Sequence, residues 1–317
     1  MELPAKVLIG PGVLERLPNF VQDLVEAEHL LVVSGPHVKE RLHHQVSASL
    51  ENAGYKAAWY TLLAGDLADV DKVQRMAEEL GTELIIGLGG GRSIDVGKLA
   101  AYRRGLTFLS APTSASHDGI ASPFTSTRGM DKPYSFKAKP PRGILADTRV
   151  ISSAPRRLLA SGCGDLVAKL TAVKDWELAR DEVGEYFGKY ASSLAKLSAM
   201  IVLEEAEAIG QGGEEAVRDV VEALISSGVA AGIAGSSRPC SGAEHLFSHA
   251  LDILRPGVGL HGEKCGLGTI IMAHLHGLDA DRIREALRAI GAPVTAGEVG
   301  LSEGDVVEAL LLAPRIR

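Results

Sequence analysis

Apolar residues along this chain follow two kinds of pattern, and the change between them falls near Pro155. Before that point, short apolar runs alternate with stretches of helical spacing. Lys6 to Ile9, His29 to Ser34, Ala57 to Leu63, Leu84 to Leu88, Thr107 to Ser110 and Gly143 to Ala146 read as strands. Leu14, Leu17, Phe20, Val21 and Leu24 recur at helical spacing, and helices are predicted over Val38 to Ala53, Val70 to Leu80 and Ser93 to Arg104. Strands alternating with helices predict a mostly parallel sheet covered on both faces. Ser126 to Arg142 is polar and proline-marked and reads as a hairpin.

After Pro155 the periodicity is helical, with no convincing strand. Leu159 to Arg180, Tyr190 to Ala208, Glu214 to Gly232 and Gly242 to Ile253 are the clearest helices. The glycine-rich stretch 209–213 and the loop Arg255-Pro-Gly-Val-Gly259 interrupt them. The expected organisation is an α/β nucleotide-binding domain over residues 1–153 and an all-α metal- and substrate-binding domain over 154–317. A chain of 317 residues has room for both cores.

No apolar run reaches the length of a membrane span, and Met1 to Lys6 carries no signal-peptide core, so a cytoplasmic protein is expected. Ala313-Pro-Arg-Ile-Arg317 gives no strong stop signal, and a further tail is expected. Cys163, Cys240 and Cys265 are odd in number, with no metal-type spacing among them, and read as packing residues in a reducing compartment. The formal charge of −7 argues against a general nucleic-acid surface. An anionic substrate must then be gripped by local positive charge.

Two stretches carry candidate chemistry in the first half. The apolar run through Leu88 meets Gly89-Gly90-Gly91-Arg92-Ser93, where backbone without Cβ atoms lets a ligand approach closely. The free N–H groups and dipole of the helix that follows suit a diphosphate. A plain strand–turn–helix connection is the other reading, and Arg92 stands where the third glycine of G-x-G-x-x-G belongs. The second stretch is Ser110 to Gly119, at the C-terminal end of a predicted strand, where open parallel sheets bind ligands. Its small hydroxyl residues suit nucleotide contacts, while His117-Asp118-Gly119 also reads as a turn.

In the helical half, Asp165 follows Gly162-Cys-Gly164 and is expected to open a helix. His245 and His249 stand four apart, on one helix face, and His261 follows a glycine loop. One carboxylate with two imidazoles suits a catalytic divalent ion, zinc first. Each residue also has a plainer reading: a helix N-cap for Asp165, a solvated or hydrogen-bonded face for the histidine pair.

Gly89 to Lys98, Ala111 to Gly119, Gly164 to Lys169, Ser237 to His245 and His261-Gly-Glu-Lys264 together resemble the sn-glycerol-1-phosphate dehydrogenase family. This is the archaeal-type branch of the glycerol dehydrogenase, iron-containing alcohol dehydrogenase and dehydroquinate synthase superfamily. The resemblance runs from about Lys6 to the end, with the motifs in order. It implies a dehydroquinate synthase-like fold and the ligand set Asp165, His245 and His261, with His249 one turn along and not ligating. It implies a diphosphate at Gly89, Gly90, Gly91, Arg92, Ser93 and Asp95, with Thr113 and Ser114 near the nucleotide. Asp118 falls at the substrate end, Asp118 and His249 are the proton-relay candidates, and Arg238 is the candidate phosphate contact, ahead of Lys264.

The implied reaction is hydride transfer from NADH or NADPH to dihydroxyacetone phosphate in a homo-oligomeric enzyme of archaeal lipid synthesis. Glycerol dehydrogenase activity on the unphosphorylated substrate, a dehydroquinate synthase-like lyase, and a nucleotide sensor without chemistry are the alternatives. The last requires a broken ligand set, and the set is intact.

Overall fold

The computed structural model describes residues 1–127 and 134–316. The chain divides into two compact units, one of residues 2–114 with 119–154, the other of 115–118 with 155–317 and Met1.

The first unit is an open sheet with helices on both faces. Its strands are β1 (Lys6–Gly10), β2 (His29–Ser34), β3 (Lys56–Thr61), β4 (Leu84–Gly89), β5 (Thr107–Pro112) and β8 (Gly143–Asp147), in the order β1-β8-β5-β4-β2-β3 and parallel throughout. Helices α1 (Leu17–Gln22), α2 (Pro36–Asn52), α3 (Leu67–Glu79), α4 (Gly91–Arg104) and α5 (Thr148–Ser152) complete it. Alternation along β2 builds two cores. Leu30 and Val32 pack with Leu17, Phe20, Val46 and Leu50, whereas Leu31 and Val33 pack with Val70, Val73, Ile94 and Leu99. The strand order reverses between β2 and β4, which puts the ligand-binding crevice of such a sheet at their carboxyl ends.

The helix expected from Leu14 is shorter than its periodicity. Val13–Arg16 is a 3-10 turn, and α1 begins at Leu17 with Pro18 in its first turn, where a missing N–H costs nothing. The expected hairpin is represented by β6 (Phe124–Thr127) and β7 (Tyr134–Lys137), which pair antiparallel. Its central residues, 128–133, lie outside the described residues.

The second unit is helical: α6 (Arg156–Val183), α7 (Lys189–Glu204), α8 (Ala206–Gln211), α9 (Glu214–Ala234), α10 (Ala243–Leu254), α11 (His261–Leu275), α12 (Ala280–Ile290), α13 (Ala296–Val299) and α14 (Glu303–Leu312). The stretch expected as one helix from Tyr190 to Ala208 is divided at Glu205. Glycines let α6, α10 and α11 approach closely. A Cβ on Gly164 would run into the Gly262 carbonyl, one on Gly262 into the Ser161 carbonyl, and one on Gly268 to 2.9 Å from Phe247. No helix among the described residues is long and apolar enough to cross a membrane.

Candidate functional site

In the first unit the glycine turn joins β4 to α4. Gly90 is the helix N-cap and offers no side chain, so the helix start is left to whatever approaches it. A Cβ on Gly89 would meet the Ser93 Cβ at 2.8 Å, which makes Gly89 a packing requirement of the turn itself. A Cβ on Gly90 would meet only the Ser114 Oγ, at 3.2 Å. That hydroxyl is buried and has no hydrogen-bond partner in the protein, and a buried unpartnered O–H donor beside an uncapped helix start fits an anionic ligand. The Thr113 N–H donates to the Gly89 carbonyl and ties the end of β5 to the turn.

The tight strand–helix packing that a third fingerprint glycine would allow is provided elsewhere. Gly87 and Gly97 face the Phe108 ring, where Cβ atoms would lie 2.9 and 3.0 Å from its edge. Arg92 instead lies over the β3–α3 loop, its Nη1 donating to the Ala64 carbonyl at 3.5 Å. Asp95 accepts from the Ser126 N–H at 3.1 Å and faces the buried Lys98 ammonium at 3.6 Å. Lys98 in turn donates to the Gly119 carbonyl at 2.6 Å. Asp95 therefore holds β6 against α4 in this structure.

These contacts separate two kinds of glycine and make a direct test. Gly90→Ala is expected to leave far-UV circular dichroism and unfolding little changed while weakening NADH or NADPH binding at least about tenfold, roughly 1.4 kcal/mol. Titration of the variant checks it, and unchanged affinity would favour the plain strand–turn–helix reading.

In the second unit, Asp165, His245, His261 and Cys265 bring their donor atoms within 4.8 Å of one another. Asp165 does not open a helix. It lies in the third turn of α6, which runs unbroken through Gly162 and Gly164 because those glycines serve close packing rather than a turn. The N-cap reading of Asp165 falls with that. His261 is the first residue of α11, and its position is set by Glu263, which accepts from the Leu260 N–H at 2.7 Å and from Arg157 at 2.5 Å.

His245 Nε2 lies 3.3 Å from Asp165 Oδ1, and His261 Nε2 lies 3.9 Å from the same oxygen. The other nitrogen of His245, Nδ1, lies 2.7 Å from Glu244 Oε1. A fully buried carboxylate holding Nδ1–H would leave Nε2 as the nitrogen that turns to a bound ion, the arrangement that supports a metal-bound imidazole. Glu244 is itself held by Thr171 Oγ1 and the Gly242 N–H, each at 2.7 Å. His261 keeps 34% of its side chain exposed, which leaves the cluster an open side.

A buried cation balances the carboxylates. Lys169 Nζ lies 2.9 Å from Asp165 Oδ1, 2.9 Å from Asp118 Oδ2 and 3.2 Å from the Cys240 carbonyl, so each of its three N–H donors has an acceptor. Burial favours the neutral lysine, but Asp118 and Asp165 outweigh it and hold the ammonium charged well above its ordinary range. Burial likewise favours a neutral Asp165, but Lys169 and the two imidazoles hold its carboxylate well below the usual range. Asp118 also donates its backbone N–H to Asp165 Oδ2 at 2.9 Å and accepts from Ser227 Oγ at 3.0 Å.

The structure thus gathers Asp118, Asp165, His245 and His261 at one place, with the His249 ring 6.2 Å from that of His261. Arg238 is engaged elsewhere, its guanidinium forked onto the Glu185 carboxylate with Nε 2.7 Å from Oε1. Lys264 is buried with its Nζ on Asp252 Oδ1 at 2.5 Å. Cys265, Lys169 and Glu244 were missed from sequence. The first two carried a signal, since Cys265 follows His261 and Lys169 follows Asp165 by one helical turn, on the same faces. Glu244 carried none beyond adjacency to His245.

A model of the family described as iron-containing alcohol dehydrogenase matches residues 8–155. A Nitrosopumilus maritimus protein named glycerol-1-phosphate dehydrogenase, NAD(P)+, is 45% identical over 317 residues, covering 100% of this chain and 89% of that protein. A Cenarchaeum symbiosum protein of the same name is 50% identical with the same coverage, 100% and 89%. Among solved structures, glycerol dehydrogenase from Schizosaccharomyces pombe superposes with a TM-score of 0.83 at 23% identity, over 98% of this chain and 83% of that one.

Proposed function

The chain belongs to the glycerol-1-phosphate dehydrogenase family, and from that premise we propose that it reduces dihydroxyacetone phosphate to sn-glycerol 1-phosphate with NADH or NADPH. The observation that carries this reading is identity of 45–50% to relatives of that name along the whole chain, together with a buried carboxylate–imidazole cluster suited to a catalytic ion. The product supplies the glycerophosphate backbone of archaeal membrane lipids. The enzyme works in the cytoplasm as a homo-oligomer and has no nucleic-acid partner. Residues 1–153 serve the nucleotide, and 154–317 serve the metal and the substrate.

Asp165, His245 and His261 would hold the ion, zinc first. When bound, it supplies Lewis acidity toward a carbonyl oxygen. NAD or NADP supplies the hydride chemistry. Everything else falls to the chain's own groups. Gly90, the start of α4, and Thr113 and Ser114 receive the cofactor, with Gly89, Gly91, Arg92, Ser93 and Asp95 shaping the turn. Glu244 orients His245, and Lys169 keeps Asp165 anionic. The Asp118 carboxylate is tied to Lys169 and Ser227, which suits it to orienting substrate. His249, one turn beyond His245, is assigned the proton that the reduced oxygen takes up.

Assaying dihydroxyacetone phosphate against dihydroxyacetone and glycerol, with chiral analysis of the product, tests the reading. Strong preference for the phosphorylated ketone over feeble turnover of dihydroxyacetone, giving the sn-1 isomer, is expected. Preference for glycerol would move the chain to the glycerol dehydrogenase alternative.

Arg238 remains the proposed phosphate contact, and its pairing with Glu185 sets the terms. A pair this exposed is worth about 0–1 kcal/mol, whereas a guanidinium on phosphate makes charge-assisted bonds of about 1.5–3 kcal/mol each. Phosphate binding at Arg238 therefore requires the guanidinium to exchange the Glu185 carboxylate for the substrate. Arg238→Ala should cut kcat/KM for dihydroxyacetone phosphate at least about tenfold, roughly 1.4 kcal/mol, and leave the feeble activity on dihydroxyacetone unchanged. Equal losses on both substrates would leave Arg238 as the partner of Glu185 and nothing more.

A further inference from the structure

We infer that Cys265 is a fourth donor to the divalent ion, its sulfur completing the set of Asp165, His245 and His261 when no substrate is bound. The inference rests on the metal reading above and extends it to a residue whose sequence pattern suggested packing alone. Cys265 stands one turn beyond His261 on α11, so both side chains leave the helix on the same face. Its Sγ lies 3.6 Å from His261 Nε2. Zinc bonds of about 2.0–2.3 Å in a tetrahedron place neighbouring donors about 3.3–3.8 Å apart. The separations here are 3.6 Å for Cys265 to His261, 3.3 Å for His245 to Asp165 and 3.9 Å for His261 to Asp165. Three of the six donor–donor edges therefore already stand near the lengths that zinc requires, and all six lie within 4.8 Å.

The other two cysteines are placed differently. Cys240 Sγ is spent on Ser227, 3.2 Å from its carbonyl and 3.4 Å from its hydroxyl, and Cys163 is buried and belongs to no such cluster among the described residues. A thiolate is a soft donor, and with two imidazoles it selects zinc over the oxygen-preferring magnesium, calcium and manganese. Metal choice in this chain would then depend on Cys265 as much as on the three other ligands.

Exchanging cobalt(II) into the reduced full-length protein gives the test, because cobalt reports its ligands in its spectrum. Visible ligand-field bands count bound cobalt, and a thiolate-to-cobalt charge-transfer band in the near ultraviolet reports sulfur. The charge-transfer band is expected in the wild-type protein and in Cys163→Ser, and absent in Cys265→Ser. Cobalt affinity in Cys265→Ser should fall at least about tenfold, the scale on which even supporting groups act. Stoichiometric cobalt without the band in the wild type would overturn the inference and leave the three-ligand site standing. A band that persists in Cys265→Ser would overturn it too. Failure of the wild type to bind cobalt at all would sink the metal centre and the inference together. Should Cys265→Ser not fold, the wild-type spectrum decides alone.

Discussion

Replacing Lys169 with methionine is expected to destabilise the metal-stripped protein by about 3–5 kcal/mol, the scale for breaking a buried ion pair from one side. Methionine fills a similar volume, so packing is nearly kept and the loss is electrostatic. It leaves two carboxylates, Asp165 at 2% and Asp118 at 18% side-chain exposure, facing each other without the cation that lies 2.9 Å from both. The Cys240 carbonyl loses its donor as well. Urea unfolding in the presence of a chelator measures the effect. The double variant Lys169→Met with Asp118→Asn should recover part of it, because one of the stranded charges is then gone. Loading with zinc should also shrink the loss, since a divalent ion held by Asp165 restores positive charge beside it. A loss below about 1 kcal/mol would put Lys169 in the class of pairs that contribute little.

His245→Ala and His261→Ala should each lose bound metal on dialysis and slow turnover at least about a hundredfold, equivalent to roughly 2.7 kcal/mol of transition-state stabilisation. His249→Ala should keep its metal and slow turnover by a similar or smaller factor, as expected for a lost proton relay. The two helix histidines are separated by geometry. His245 Nε2 points at Asp165 from 3.3 Å with Glu244 behind it, whereas His249 stands one turn further on. Metal content, measured directly, reads the distinction without reference to activity. Loss of metal from His249→Ala would reverse the choice between them. Chelation of the wild type should abolish turnover and still leave cooperative unfolding. The proposed ligands ride on helices with apolar cores of their own, as α10 does with Phe247, Ala250 and Leu251.

Much of this site was legible before any coordinates. The strand 29–34 ends where its apolar run ends, and the change from strand-and-helix to helix alone at Pro155 follows the periodicities on either side. Hydrophobic period is a local property, and it survives folding because each element buries the face that its own sequence prepares. The candidate ligands were legible only through the resemblance, since residue types and spacing left the plainer readings of Asp165, His245 and His261 open; the fold brings their donor atoms together.

The rest depended on which elements touch. Gly162 and Gly164 read as a break ahead of Asp165, yet α6 runs straight through them, because a glycine in a helix is ambiguous until its neighbour is known. For Gly164 the neighbour is α11, whose Gly262 carbonyl occupies the space a Cβ would need, and for Gly162 it is the Ala115 carbonyl. The same crossing brings Asp165 to Cys265 and makes Cys265 a potential ligand, while the 115–118 segment, packed against α6, makes Lys169 the counter-ion of two carboxylates far apart in sequence. Arg238 has the converse history, a free charge in sequence and the partner of Glu185 in the fold. By itself the sequence determined the element types and the parallel sheet, written in local period, while the family and the three candidate donors came from motif resemblance. Only the tertiary structure decided how those donors are completed and balanced, since burial and pairing arise from contacts between segments that no local pattern encodes.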